Sequence, residues 1–558
     1  MAGRDELVFV ALGGVAEIGM NLALYGYGRG RSRAWLAVDM GVAFGHEEYL
    51  PGVDAVLPDI RFLLERKDGL QGIAITHAHE DHYGALFDFW PQLEAPVFMT
   101  PFAAGLLQAK RAGEPGAPKI PVRIVKQGGT VKAGPFEVEY IPVSHSIPEP
   151  NALAIRTPAG TVLHTGDWKL DPAPGVGLAT DDNRLAALGE EGVLALVSDS
   201  TNAIRDGVSP SEGEVAVVLE RLIAEAPQRV AVTTFASNVG RLQAVAGAAH
   251  RAGREVVVVG RALHRSLDVA RELGYLEGIP EFLDQDAFAR LPRNKVVALM
   301  TGSQGEARAA LSRMASGDHR AVRLAEGDRV IFSSRTIPGN ERAVNTIINA
   351  LVDLGAEVIT DRDALVHTSG HPRRDELRQL YDWIKPQILV PVHGEALHLH
   401  EQAKLARAAG IPQVVEVRNG RMIRLAPGPA EVLDSVQHGR LYRDGRLLVP
   451  PDVSGVADRR RLAFAGVVSI AIVLSDSGDV LEDPRVELLG LPESDAEGEA
   501  LRAIAGDAID DALDSLSKPK RRDAAVVRDV VRRGVRGEID AAWGKKPQII
   551  VHVTHVSD

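Results

Sequence analysis

Seven residues, Thr76-His77-Ala78-His79-Glu80-Asp81-His82, constrain this chain more than any other stretch. They follow the apolar run Ile73-Ala74-Ile75, which predicts the end of a buried strand. His77 and His79 stand two apart, so on extended backbone both rings leave from one face. Asp81 and His82 suit the first turn of a helix, and Gly84 lets other chain come close. Burying imidazole and carboxylate together is costly unless a cation sits among them, so one divalent ion or a pair is the expected occupant. A histidine-rich surface turn is the plain alternative. Two histidines alone would favour it; four ligands directly after a buried strand reverse the balance.

The rest of the chain limits what can hold that ion. There is no cysteine, so disulfides are impossible and a zinc site must use His and carboxylate. The net charge of −12 argues against a broadly basic nucleic-acid surface, while leaving room for phosphate capture by metals and backbone. Charges precede any apolar run at the start, and Val467 to Leu474 is too short to span a bilayer. The expectation is a cytoplasmic protein that binds no membrane. A chain of 558 residues, at ~150 per domain, predicts three or four domains.

Apolar periodicity places them. Strands are expected at Leu7 to Leu12, Asn21 to Tyr27, Ala34 to Val38, Gly72 to Ile75, Val97 to Met99, Glu137 to Ile141, Ala152 to Ile155 and Thr161 to His164. Helices are expected at Ile60 to Arg66, Tyr83 to Trp90 and Pro101 to Ala112. From Ser211-Glu-Gly-Glu214, a capping-box pattern, strand and helix alternate as in a parallel α/β unit. Its helices include Val239 to Arg251, Arg261 to Leu273, Glu306 to Met314 and Asn340 to Leu354. The C-terminal hundred residues read as a separate small α/β domain, with Ile549 to Val556 as an edge strand. Lys518-Pro-Lys-Arg-Arg522 reads as a solvated basic run.

Further ligands stand at strand ends: Asp39, His145, Asp167, Asp199 and His393. Singly, each is ordinary turn chemistry. Together they point to one rim, where catalytic groups gather.

His77-x-His79-x-Asp81-His82, with His145 and Asp167, resembles the metallo-β-lactamase superfamily. The 226-residue gap between Asp167 and His393 holds the α/β insert, as in the β-CASP subgroup that processes nucleic acids. Longer strings resemble the ribonuclease J family over nearly the whole chain. They are Gly13-Gly-Val-Ala-Glu-Ile-Gly19, Thr233-Thr-Phe-Ala-Ser-Asn238, Thr301-Gly-Ser-Gln-Gly-Glu306, Ser333-Ser-Arg-Thr-Ile-Pro-Gly-Asn-Glu341, His367-Thr-Ser-Gly-His371 and Pro391-Val-His-Gly-Glu395. The resemblance implies an α/β fold: a metallo-β-lactamase αββα sandwich, an inserted parallel β-CASP domain and a small C-terminal domain. The expected bounds are 1–207 and 357–460 for the sandwich with its linker, 208–356 for the insert and 461–558 for the last domain.

It also implies roles. His77, His79 and His145 would hold one metal; Asp81, His82 and His393 would hold the second; Asp167 would bridge them. Zinc is the expected ion and manganese the alternative. Asp39 would orient the histidine loop. Asp81, Asp199 and His371 are the candidates for catalysis, His371 as a proton donor kept charged by Asp199. Two ions ~3.5–4 Å apart would activate water and neutralise a phosphodiester. Ala236, Ser237 and Asn238, with His367, Thr368, Ser369, Gly370 and His371, would bind the RNA's 5′-monophosphate, favouring 5′-to-3′ exonuclease action with endonuclease action possible. For Ser237 and Asn238, capping of the helix at Val239 is a compatible structural role. A homodimer or homotetramer through the C-terminal domain is expected. Two rivals are a small-molecule thioester or lactam hydrolase and an inactive RNA-binding paralogue. The insert argues against the first, and the intact ligand set against the second.

Overall fold

The computed structural model describes residues 5–45, 49–306, 309–337 and 339–557. The chain divides into two compact units: Met1–Ala43 with Val56–Leu441, and Phe44–Ala55 with Tyr442–Asp558.

Two sheets and an insert make up the first unit. One sheet has eight strands, with Glu6–Gly13 and Leu22–Gly28 central, Ala34–Val38 and Leu70–Ala74 beside them, and Arg421–Ala426 closing against the first strand. The other has seven, running from Gln413–Val414 through Ile388–Val392, Ala195–Asp199, Gly160–His164 and Asn151–Thr157 to Thr130–Ala133. Phe9, Tyr25, Leu36 and Val38 of the first face Tyr140, Leu153, Ile155, Val197 and Val390 of the second in one buried core. Both faces of these strands are covered, which is why their sequences read as near-continuous apolar runs. Leu185, Leu188, Leu377, Leu380 and Leu405 cover the outer face of the seven-stranded sheet from the helices Asp182–Glu191, Arg374–Ile384 and Ala396–Ala408. This is the expected αββα sandwich.

The insert leaves after Ala195–Asp199 and returns as Ile388–Val392. These two strands pair in parallel, with Asp199 opposite Val392, so Asp199 and His393 meet at one rim. The insert's own sheet has six strands, parallel throughout, around Val230–Thr233. Its last strand, Glu357–Ile359, pairs with Arg329–Phe332, so this sheet runs past the expected bound at 356. The capping box forms as read, with Ser211 and Glu214 reciprocally bonded, and Val239–Arg251 starts at an Asn238 cap.

Two expected helices differ. Tyr83 to Trp90 is two helices, Glu80–Tyr83 and Leu86–Leu93. The Asp81 carbonyl accepts from Asn21 N and Nδ2, and Ala85 N donates instead to Met40 O, so a distant contact breaks the helix. Gly41 permits that approach, since a Cβ there would lie 1.6 Å from the Asp81 oxygen. The helix expected from Glu306 is Ala310–Ala315, with Leu311 N donating to Thr301 O; residues 307 and 308 lie outside the described ones, as does Pro338 of the Ser333 string.

In the second unit, Arg485–Leu489, Val467–Ser475 and Gln548–Val556 form a three-stranded sheet in that order. Helices Leu501–Asp514 and Ala524–Trp543 cover it through Ile470, Ile472, Ile509, Val527, Val531 and Val535. Gln548–Val556 is an edge strand, as its alternation predicts. In the basic run, Lys518 pairs with Asp479 and Arg521 with Asp514, which fits a solvated surface.

Candidate metal centre and active site

The seven expected ligands converge on one rim. The donor atoms of His77, His79, His145 and Asp167 lie within 4.8 Å of one another, and so do those of Asp81, His82, Asp167 and His393. Asp167 Oδ2 stands between the sets: 3.2 Å from His82 Nε2, 3.5 Å from His393 Nε2, 3.7 Å from His145 Nε2 and 3.8 Å from His77 Nε2. Its Oδ1 is buried with no hydrogen-bond partner.

Hydrogen bonds on the outer ring nitrogens set the tautomers. His145 Nδ1 donates to Gly370 O at 2.7 Å. His77 Nδ1 faces Thr76 Oγ1 at 3.0 Å, and that hydroxyl gives its own proton to Asp39. Both inner Nε2 atoms are therefore lone pairs. They lie 3.0 Å (His145) and 3.1 Å (His77) from His79 Nδ1. One proton on His79 relieves one of these contacts; a cation relieves both. Nitrogens ~2.0–2.1 Å from a tetrahedral zinc would stand at about this spacing, so the donor set fits a divalent ion. Burial reinforces the neutral state: it pushes His77 and His145 well below the usual imidazole range and His79 down to about 4.

The second set is oriented from within the sandwich. His82 Nδ1 donates to Asp39 Oδ2 at 2.7 Å, and His393 Nδ1 lies 2.9 Å from Asn21 Oδ1. For His82, burial opposes charge, but the carboxylates of Asp167, Asp81 and Asp39 win and raise it well above the usual range, a position a cation can fill in place of the proton. Asp39 and His393 both sit at positive φ (64° and 50°), backbone that costs ~1–3 kcal/mol and clusters at functional sites.

Asp199 and His371 lie beside this centre. Asp199 Oδ1 accepts from Thr201 N at 2.8 Å, leaving Oδ2 2.7 Å from His371 Nδ1. Burial alone would depress His371, but Asp199 and then Asp167 outweigh it and raise it to about 9.

Of the residues expected to bind phosphate, Ser237, Gly370 and His371 bond to His79, His145 and Asp199 at the centre. Ser237 Oγ lies 3.1 Å from His79 Nε2, and Ala236 is half-buried beside it. Asn238 accepts from Arg241 N as the helix cap. His367 Nδ1 is buried and unpartnered; burial first, then the charges of Arg241, Arg335 and Lys169, drive its pKa well down. Thr368 Oγ1 donates to Pro210 O, and Ser369 Oγ accepts from Asn202 Nδ2. Sequence reasoning missed Asn21, Thr76 and Asn202. Asn21 follows the Gly13–Gly19 string and Thr76 opens the histidine stretch, but neither is assigned a role there, and Asn202 carries no signal.

Fold and donor set define a metallo-β-lactamase-type hydrolase carrying a β-CASP insert. Family models agree: metallo-beta-lactamase superfamily over 50–186, ribonuclease J beta-CASP domain over 227–351, Zn-dependent metallo-hydrolase RNA specificity domain over 355–417, and ribonuclease J C-terminal domain over 454–556. Ribonuclease J of Sinorhizobium meliloti is 56% identical across 100% of this chain and 98% of its own length; that of Mycolicibacterium smegmatis is 40% identical across 98% and 97%. A crystal structure of a protein of unknown function from Enterococcus faecalis V583 superposes with TM-score 0.53 at 17% identity, covering 75% of this chain and 100% of its own, a likeness of fold. The chain belongs to the ribonuclease J family. It is a metal-dependent ribonuclease, a hydrolase acting on RNA.

Proposed function

We propose that this ribonuclease degrades RNA from the 5′ end with two divalent ions, zinc for preference with manganese as the alternative, and favours a 5′-monophosphate. The supporting observation is the position of Asp167 Oδ2, within 3.2–3.8 Å of histidine nitrogens from both donor sets. His77, His79 and His145 would hold one ion, Asp81, His82 and His393 would hold the other, and Asp167 would serve both. Bound there, such ions would supply water of lowered pKa and neutralise charge on the phosphodiester.

The chain's own residues do the rest. Cleavage leaves a 3′-oxygen that needs a proton. His371 donates it from Nε2, while Asp199 holds Nδ1–H and keeps the ring charged and aimed. Ser237, Asn238 and the 367–371 segment receive the 5′-phosphate at the N-terminus of helix Val239–Arg251.

The chain divides at the expected bounds of 207 and 460, with the insert extended to Ile359 by its last strand and the segment after it closing the sandwich and linker. The C-terminal domain 461–558 joins copies into a homodimer or homotetramer. The enzyme works in the cytoplasm in RNA maturation and decay, with endonuclease action as a secondary activity. Among the described residues no helix is long and apolar enough to cross a membrane.

Purified protein incubated with 5′-monophosphate, triphosphate and hydroxyl forms of one 3′-labelled RNA tests this. The monophosphate form is expected to be shortened fastest from its 5′ end, and chelator to stop it until zinc or manganese is restored. Equal rates on all three would remove the phosphate pocket; internal fragments alone would remove the direction.

A further inference from the structure

The five histidines of the centre differ in where their outer hydrogen bonds come from. His77 is held by its neighbour Thr76, His82 by Asp39 and His393 by Asn21, all within the sandwich. His145 is held by Gly370 on the segment returning from the insert. His79 Nε2 is bonded to Ser237 Oγ, inside the insert and 158 residues away. We propose that Ser237 is a positioning residue for His79, so that seating of the inserted domain and occupancy of the His77/His79/His145 metal position stabilise each other, while the Asp81/His82/His393 position is built without the insert.

The hydroxyl is not a mobile surface group. Ser237 lies in the tight turn between strand Val230–Thr233 and helix Val239–Arg251, with Asn238 N donating to Phe235 O and Val239 N to Ser237 O. The next turn is anchored by Arg241, which is 1% exposed. Its guanidinium donates to Glu212 Oε2 at 2.7 and 3.1 Å and to the carbonyls of Ser333 and Val366. Asn238 ties the same turn to Glu212. Ser237 thus reports the position of the whole inserted sheet.

The chemistry runs in one direction. With Nδ1 turned to the ion, His79 must carry its proton on Nε2, and the Ser237 oxygen accepts it. Such outer partners fix ring orientation and raise ligand basicity. By linkage, whatever the metal gains from a seated insert, the insert gains from a bound metal. The proposal rests on the reading of His79 as a ligand through Nδ1.

Zinc titration of chelator-stripped full-length protein, without RNA, tests it by calorimetry and chelator competition. Wild type is expected to bind two ions. Ser237→Ala should weaken one of them ~10–100-fold and leave the other unchanged, and Ser237→Thr should restore it. Hydrogen exchange in the 234–241 turn should slow on adding zinc to wild type, and not in Ser237→Ala. Wild-type affinity at both positions in Ser237→Ala, even with altered selectivity for 5′-phosphate, would overturn the proposal. So would equal weakening at both. If His79→Ala still binds two zinc ions as wild type does, the underlying assignment of His79 fails instead.

Discussion

His145 Nδ1 donates to the backbone oxygen of Gly370 at 2.7 Å, across 225 positions of the chain. The contact needs glycine: a Cβ at residue 370 would lie 2.3 Å from that nitrogen and 3.1 Å from Ser146 N. Gly370→Ala must displace the His145 ring. Zinc affinity and RNA cleavage are expected to fall together by about 10–100-fold, the usual cost of losing a ligand's outer partner. Metal analysis beside a cleavage assay checks this, and full activity with two bound zinc ions would refute it.

Asp199 and His371 predict a pH effect. Burial favours the neutral ring, and Asp199 with Asp167 overrides it to about 9. A proton donor with a raised pKa works below that value and fails as pH rises through it, so activity should fall on the alkaline side. Asp199→Asn keeps a hydrogen-bonding group and removes the charge. Its alkaline limb should move down by ~1–3 pH units. The rate at neutral pH should drop ~100-fold or more, less for a substrate whose leaving group needs no proton. An unmoved limb would take proton donation away from His371.

Asp39 bonds His82 Nδ1 at 2.7 Å and Thr76 N at 2.8 Å from its two oxygens. Asp39→Ala should weaken the Asp81/His82/His393 ion by about 10–100-fold. It should also lower stability by ~1–3 kcal/mol, because the buried Thr76 N–H loses its acceptor. Denaturant unfolding of the metal-free protein separates the second effect from the first.

Arg241 and Glu212 form an ion pair at 2.7 Å with side chains 1% and 5% exposed. Removing one partner leaves a buried charge, so Arg241→Met should cost about 3–5 kcal/mol. Adding Glu212→Gln should recover part of that loss. A double variant no more stable than the single one would show that the other bonds of Arg241, to Ser333 and Val366, dominate.

Local features of this molecule were legible in the sequence, and distant ones were not. Residues 77–82 declare their chemistry because donors and strand end are contiguous. Helix Val239–Arg251 has the expected bounds because Asn238 caps it locally. The break at Gly84 escaped, since it comes from Asn21 taking the Asp81 carbonyl from 60 residues away. Asn21 as the partner of His393 escaped too, because 372 positions separate them and an Asn after a glycine-rich turn has an ordinary local explanation. The helix Arg374–Ile384 was overlooked although it has a strongly one-sided apolar face, because no Ser, Thr, Asp or Asn marks its start; Arg373 stands at the cap.

The parallel pairing of Ala195–Asp199 with Ile388–Val392 has a consequence for synthesis. A ribosome that has made Asp167 must add 226 more residues to reach and include His393. At ~5–20 residues per second that is roughly 10 to 45 s during which the nascent chain has His77, His79, His145 and Asp167 and lacks His393. The first strand waits longer still, since its outer neighbour Arg421–Ala426 is among the last parts of the sandwich to emerge. The half-made chain therefore lacks both His393 and the strand that flanks Glu6–Gly13 until the insert has been completed.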